Sequence, residues 1–482
     1  MQSMSLISEK IRSLEEQPAL RPENIRHLAG FIDAADDWQL YRINPFTFAA
    51  EHHSDEDQIL DLFIHSARVG LFDFSYNMIC PRCGGVAHAH HELDQVESTD
   101  FYCAVCTMSS PATLDDQVEV SFAINPAVRR LNIDPLADLE SYNRYHFSAN
   151  YVVSKELRDL RKKLLRHLLV IRPDSSKRIL LKKGNYATFQ LISIETNTSI
   201  LIHLDKPEGT LGSSGNIPFT ATGFAQKEIS SSAEACEITV HNNTRNAVGM
   251  MVSTPDLPRI LDVVAQHPTQ VRKFLTAKML LNNQTFRELY KIQHLSKNLN
   301  LNIKSLTIMF TDLRGSTEMY DKAGDVFAYS LVQEHFRILT DSVRKFHGAI
   351  IKTMGDAIMA TFSTPADGIS AALDMMTQIA VLNERVRQDG FEIGLKVGLH
   401  EGPALAVMRD ERLDYFGQTV NIAARVQALA SAGEIWITQS VARFRETQEV
   451  TGKARLRHEE HRAHLKGVGQ ETVVYKLSAA AG

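Results

Sequence analysis

The sequence predicts a multidomain α+β chain ending in a ferredoxin-like βαββαβ domain, and three observations lead there. The 482 residues exceed what one ordinary hydrophobic core holds, so roughly two to four domains are expected. Beyond residue 304 the apolar period switches repeatedly. Leu306 to Phe310 reads as a strand, Asp325 to Phe346 as a helix, Ala349 to Thr353 and Ala357 to Phe362 as strands, Pro365 to Arg387 as a helix and Gly394 to His400 as a strand. Between residues 178 and 252 short β-like runs alternate with Gly-, Ser- and Asn-containing turns, which reads as a small all-β module. The expected divisions are a helical region with a cysteine-containing insert over 1–170, the all-β module over 171–255, a helical linker over 256–300 and the C-terminal domain over 301–482.

Composition narrows the class. Hydrophobic residues make up 44% and charged residues 23%, values typical of a soluble globular chain. A net charge of −5 provides no global basic field, so nucleic acid is not an expected partner. Leu164 to Ile171 is the best short apolar run, but Arg166 and His167 interrupt it and no stretch reaches the roughly 18–20 residues of a membrane span. The first residues lack a basic region followed by an apolar one, so no signal peptide is expected and the cytoplasm is the expected location.

The first elements follow from periodicity. Ile25, Leu28, Ala29 and Ile32, then Ile59, Leu60, Leu62, Phe63 and Ile64, repeat at helical spacing, with a break at Asn44-Pro45. His52 and His53 read as helix-start residues beside Asp55 and Glu56. Cys80-Pro81-Arg82-Cys83 and Cys103-Ala104-Val105-Cys106 then form two C-x-x-C knuckles with 19 residues between Cys83 and Cys103, the spacing of a zinc ribbon. Gly84-Gly85 leaves backbone amides able to face the sulfurs. Four thiolates around one Zn²⁺ leave no position for water, so a structural ion over 80–106 is expected; His88, His90 or His91 replacing a cysteine is the alternative.

Residues 114–124 alternate like a half-exposed strand, and Lys155 to Leu169 has helical periodicity. Its Arg158, Arg161, Lys162, Lys163, Arg166 and His167 read as the solvated face of a surface helix, an anionic partner being the alternative. Tyr186 to Ile194, Ser199 to Leu204 and Glu237 to His241 are strand-like, and Gly209 to Gly215 is a loop without the Lys-Ser/Thr of a phosphate loop. Leu257 to Leu299 is helical in pattern, with Pro268 dividing it.

The chemistry concentrates near the C-terminus. Phe310-Thr311-Asp312-Leu313-Arg314-Gly315-Ser316-Thr317 and Ile350-Ile351-Lys352-Thr353-Met354-Gly355-Asp356 each end an apolar strand in a carboxylate. Mg²⁺ favours a pair of carboxylates plus phosphate oxygens over an all-protein cage. Gly355 permits the positive φ of a tight hairpin, which presents Lys352 and Asp356 near its tip. In Leu413-Asp414-Tyr415-Phe416-Gly417-Gln418-Thr419-Val420-Asn421-Ile422-Ala423-Ala424-Arg425, Asn421 and Arg425 are four apart and share a helix face, where amide and guanidinium suit a ribose or phosphate. Lys466 precedes Gly467 in Leu465-Lys466-Gly467-Val468-Gly469.

Taken together and in order, these four motifs resemble the catalytic domain of class III adenylyl/guanylyl cyclases over residues 304–480. The whole chain is similar to bacterial cyclases with a cysteine-containing N-terminal region. The resemblance implies two Mg²⁺ or Mn²⁺ ions on Asp312 and Asp356, purine recognition by Lys352 and Asp414, ribose orientation by Asn421, charge stabilisation by Arg425 and terminal-phosphate binding by Lys466. Lysine donates to the unprotonated ring nitrogen of adenine and aspartate accepts from its amine, so ATP is the expected substrate. The resemblance further implies a homodimer with sites shared between subunits, and regulation by the N-terminal modules. Ser316 stands where an aromatic residue is common in animal members. A guanylate cyclase and a catalytically inactive, zinc-containing nucleotide-binding scaffold are the alternatives.

Overall fold

The computed structural model describes residues 2–90, 100–111, 115, 117–204, 206, 211–290, 301–314, 325–387, 392–409, 412–469 and 471–479. Two compact units emerge. The first comprises residues 1–59, 70–112 and 116–275, and the second comprises 60–69, 113–115 and 276–482.

The first unit opens with helices Gln2–Glu15, Pro22–Ala34 and Pro45–Glu51. Ile25, Leu28 and Ile32 are buried along one face of the second, as their spacing requires. Asn44 caps the third by accepting a hydrogen bond from the Phe46 amide, and Pro45 occupies a position that needs no N–H. Strands β1 (Phe72–Ile79), β2 (Val86–His90), β3 (Asp100–Cys103), β4 (Met108–Pro111) and β5 (Val118–Ile124) follow. β1 lies between β2 and β5, and among the described residues β3 pairs with β4 alone. Alternation in β5 does not translate into one exposed face: Glu119 and Ser121 are both buried. Glu119 accepts from Ser148 Oγ and from Asn150 Nδ2 at 2.8 Å, and burial raises its pKa.

After β6 (Tyr151–Val152), the unit continues with β7 (Leu165–Ile171), β8 (Ser175–Lys182), β9 (Thr188–Ser193), β10 (Thr198–His203), β11 (Ser214–Thr220), β12 (Gly223–Phe224), β13 (Glu228–Ser230), β14 (Ala235–Asn242) and β15 (Val248–Ser253). They form two sheets, ordered β13-β10-β9-β15-β7 and β12-β11-β14-β8. Leu169, Ile179, Leu191, Ile200, Ile238, Val240 and Met250 from both sheets share one buried core. Here the helical reading of Lys155 to Leu169 is corrected: the helix ends at Leu164, and Leu165 onward pairs with β15. Ladder hydrogen bonds and the run Leu168-Leu169-Val170-Ile171 outweigh the preceding helical period. Of the Gly209 to Gly215 loop, residues 209–210 lie outside the described residues, while Ser214 and Gly215 already belong to β11.

The expected helix over Leu257 to Leu299 is likewise interrupted. Helices span Leu257–Gln266, Ala277–Leu281 and Gln284–Leu289, with β16 (Gln270–Val271) and β17 (Leu275–Thr276) between the first two. Pro268 stops the first, and Asn283 caps the third through the Phe286 amide. Residues 291–300 lie outside the described residues.

The second unit is built on β18 (Leu301–Arg314), β19 (Gly348–Met354), β20 (Ala357–Phe362), β21 (Gly394–Arg409), β22 (Arg412–Phe416), β23 (Glu434–Thr438), β24 (Leu456–Ala463) and β25 (Thr472–Ala479). The sheet order is β19-β20-β18-β21-β23-β25-β24, with β22 paired to β21. The helices Asp325–Lys345 and Pro365–Val386 connect β18 to β19 and β20 to β21. This βαββαβ connection with antiparallel β18–β20 and β18–β21 neighbours is the split arrangement expected from the changes of period. Met309, Leu339, Phe362, Ile369, Met375, Val397 and Leu399 bury the two long helices against the sheet.

Candidate active site and cysteine centre

The four knuckle cysteines converge. Their sulfurs lie within 4.8 Å of one another, with Cys80 to Cys106 at 3.9 Å and Cys83 to Cys103 at 3.7 Å. A tetrahedral Zn²⁺ with Zn–S bonds of ~2.3 Å requires sulfurs about 3.8 Å apart, so the donor set fits that ion. The Gly85 amide points at Cys83 Sγ at 3.4 Å and the Cys106 amide at Cys103 Sγ at 3.5 Å, orienting both sulfurs. Shared hydrogen bonds separate the thiols: the bond with Cys103 lowers the Cys80 pKa, and the bond with Cys103 raises that of Cys83. The second knuckle rests on the sandwich, where Asn197 Oδ1 accepts from the Ala104 amide at 2.9 Å and Gln190 Nε2 donates to the Ala104 carbonyl at 2.9 Å. His88 and His90 fall in β2, but their side chains, like His91, lie outside the described residues.

In the second unit, β18 carries Asp312 toward the β19–β20 turn. Its ladder pairs Phe310 with Met359, and the same register continued sets Asp312 opposite Ala357, next to Asp356. Met354 pairs with Ala357, leaving Gly355 and Asp356 as a two-residue turn in which Gly355 takes φ 66°. Thr311 Oγ1 accepts from the Ile358 amide at 3.2 Å and fixes strand against turn. Two groups absent from the sequence reading bear on the carboxylates. Lys396, directly across the ladder, donates to Asp312 Oδ2 at 3.2 Å. His335 is fully buried, its pKa lowered by burial, and its Nε2 donates to the Asp356 carbonyl at 3.3 Å. Lysine across a strand was detectable only once the register was known. The backbone beyond Arg314, including Gly315, Ser316 and Thr317, lies outside the described residues.

Lys352 and Asp414 meet. The Lys352 ammonium donates to both Asp414 oxygens, at 3.0 and 2.8 Å. A bulge leaves Ile351 as the extra residue between the pairs Ile350–Ala360 and Lys352–Met359, which turns the Lys352 side chain. Residues 276–290 hold the strands on either side. Gln284 Oε1 accepts from the Ile350 amide at 2.9 Å, Arg287 Nη2 donates to the Leu413 carbonyl at 2.7 Å, and Asn282 Oδ1 accepts from Thr361 Oγ1. Arg287 is desolvated enough for burial to lower its pKa, and burial pushes the neighbouring Tyr415 hydroxyl up to about 12. No motif in this amide-rich segment marked it as a brace.

Asn421 and Arg425 share the helix Gln418–Gln427, Asn421 exposed and Arg425 half-buried. That helix lies tightly on β21: a Cβ at Gly398 would stand 2.1 Å from the Gln427 nitrogen, so only glycine permits the approach. The Arg425 guanidinium lies against Gly467, where an added Cβ would be 3.4 Å from Nη2, bringing Arg425 to the loop that carries exposed Lys466. His400 is not at a strand end but inside β21, with its Nδ1 2.9 Å from Thr438 Oγ1; burial lowers its pKa to about 4.

Residues 300–478 match the family described as the adenylate and guanylate cyclase catalytic domain, and residues 4–195 match a family of unknown function, DUF5939. The C-terminal part of the chain is thus a class III cyclase catalytic domain, as its four motifs implied. Among curated proteins the chain is similar to adenylate cyclase 2 of Rhizobium meliloti (strain 1021), 28% identical over 183 residues that cover 36% of this chain and 49% of that one. It is also similar to the adenylate cyclase of Anabaena cylindrica, 28% identical over 192 residues covering 36% and 37%, and to the serine/threonine-protein kinase pkn2 of Myxococcus xanthus, 26% identical over 150 residues covering 31% and 18%. The chain spans less than half the length of each. The crystal structure of the adenylyl cyclase CyaB from P. aeruginosa is 23% identical, covering 38% of this chain and 97% of that one, at a TM-score of 0.33. No described helix is long and apolar enough to cross a membrane.

Proposed function

We propose that the chain is an adenylate cyclase, converting ATP to 3′,5′-cyclic AMP and pyrophosphate in the cytoplasm. The observation that carries this reading is the Lys352–Asp414 pair: a donor and an acceptor side by side, complementary to the ring nitrogen and exocyclic amine of adenine. Guanine presents the reverse pattern and would face a donor with a protonated nitrogen.

In the reaction the 3′-hydroxyl oxygen forms a bond to the α-phosphorus, the bond from that phosphorus to pyrophosphate breaks, and the hydroxyl proton leaves to solvent. Asp312 and Asp356 fit a pair of Mg²⁺ or Mn²⁺ ions, which when bound lower the hydroxyl pKa and neutralise the phosphates. Lys396 and His335 act from behind, Lys396 holding the Asp312 carboxylate and His335 the Asp356 backbone. Asn421 orients the ribose, Arg425 meets charge developing on the reacting phosphate, and Lys466 holds the terminal phosphates. His400 serves the fold rather than proton transfer, since it is half-buried and bonded to Thr438. Two copies of the chain share each site, the carboxylates coming from one and the purine and transition-state residues from the other. Cys80, Cys83, Cys103 and Cys106 hold one structural Zn²⁺, and the first unit regulates the second.

Initial rates of purified protein with ATP and with GTP, in Mg²⁺ and in Mn²⁺, test the reading. ATP is expected to be preferred, and Lys352→Glu to lower kcat/KM for ATP by about 100-fold, near 3 kcal/mol, while narrowing the gap to GTP. Faster turnover of GTP by the unaltered protein would make it a guanylate cyclase instead.

A further inference from the structure

We propose that the β-sandwich of the first unit carries a binding site for a small organic phosphate, in a cleft where Arg166, His167, Lys182 and Tyr186 meet. The proposal is independent of the cyclase reading. The cleft encloses about 320 Å³, at the lower end of small-molecule sites. Among the described residues, no carboxylate lines it.

The site lies where the helix Lys155–Leu164 gives way to β7. The β15–β7 ladder passes from Val252–His167 to Ser253–Leu165, so Arg166 is the unpaired extra residue of a β-bulge. Bulges redirect a side chain, and they cluster beside functional sites. The Arg166 guanidinium lies 5.7 Å from the Tyr186 ring, with its Nη2 3.5 Å from Thr254 Oγ1. Tyr186 is itself held, since its hydroxyl donates to Asp256 Oδ2 at 2.9 Å. Lys182, the last residue of β8, brings a second cation from the other sheet.

Among the described residues, none of Arg166, His167 and Lys182 has a carboxylate partner. Basic groups converging on a concave surface focus positive potential and raise the local concentration of anions. Arginine offers a planar fork to phosphate oxygens and lysine a point charge, the combination that suits a phosphate monoester. The Tyr186 ring and Leu180, which is 50% exposed, provide an apolar wall for an attached organic group. A site of this volume suits a compound the size of a sugar phosphate, whereas a nucleic-acid strand needs a basic track.

Isothermal titration of the full chain with ribose 5-phosphate, inorganic phosphate and ribose tests the proposal. These probes lack a purine and so avoid recognition at Lys352 and Asp414. Saturable binding of ribose 5-phosphate at one site per chain is expected, with no binding of ribose. Arg166→Ala and Lys182→Ala should each weaken it about tenfold, the effect of losing one charge-assisted contact. Tyr186→Leu should weaken ribose 5-phosphate more than inorganic phosphate. Lys182 is an exposed strand end, so Lys182→Ala keeps the test available if Arg166→Ala unfolds the sandwich. Absence of saturable binding up to about 5 mM would overturn the proposal. So would binding that neither substitution changes, because the phosphate would then be held elsewhere.

Discussion

The cysteine centre of the first unit gathers a donor set that fits one metal ion, and the carboxylates proposed to hold metal in the second unit are built in the opposite way. The four sulfurs are gathered within 4.8 Å, three of the four cysteines are buried, and backbone amides already aim at two sulfurs. Asp312, by contrast, is 37% exposed in its side chain and carries an ion pair with Lys396, while Asp356 sits on a two-residue turn. A closed thiolate set holds an ion for its geometry. An open carboxylate pair, restrained from behind, leaves coordination positions for phosphate oxygens and water. On the proposed reading, the contrast separates a fastener from a reaction centre.

The largest effect should come from the open site. Asp312→Ala is expected to lower kcat at least 1,000-fold, about 4 kcal/mol of barrier, as read by cyclic AMP formation. The same variant should keep its thermal unfolding midpoint and one zinc per chain by elemental analysis. A loss of zinc together with activity would mean that the two centres are not separable.

Next in size is the closed site. Cys83→Ser should abolish stoichiometric zinc and cost the first unit several kcal/mol, roughly a 10 °C fall in its unfolding temperature. Calorimetry of the full chain would show this, and chelation at neutral pH should reproduce it. An unchanged midpoint would show the sulfurs to be a packed cluster without an ion.

How much of this contrast was legible in the sequence depends on distance along the chain. The C-x-x-C pairs, the Gly355 turn and the Asn421–Arg425 helix face are local patterns, and each stands where its spacing put it. Lys396, His335 and residues 282–287 act through contacts made by ladder register and helix packing, which no short window contains. The Lys155–Leu169 segment failed for a related reason: pairing with β15 decides its second half, and β15 lies some 80 residues away. Buried Glu119 escaped because alternation along β5 says nothing about what covers its second face.

The smallest effect is a pH dependence. His400 has a folded pKa of about 4 against an ordinary 6.5, so its neutral form is favoured by folding. That contribution is fully present above pH 6.5 and is lost as pH falls from 6.5 toward 4, about 3 kcal/mol in all. Unfolding of the second unit by denaturant should therefore weaken over that window, and His400→Gln should flatten the slope. A wild-type slope retained by His400→Gln would assign the dependence to other groups.

The central claim is that each reaction site is completed by a second copy of the chain, with Asp312 and Arg425 of one polypeptide serving different sites. Asp312→Ala and Arg425→Ala should each be nearly inactive alone. Mixed in equal amounts and allowed to exchange subunits, they should recover up to about a quarter of wild-type activity, because half of the dimers are mixed and each mixed dimer holds one intact site. A mixture that exchanges subunits yet stays as inactive as its components would contradict the shared site.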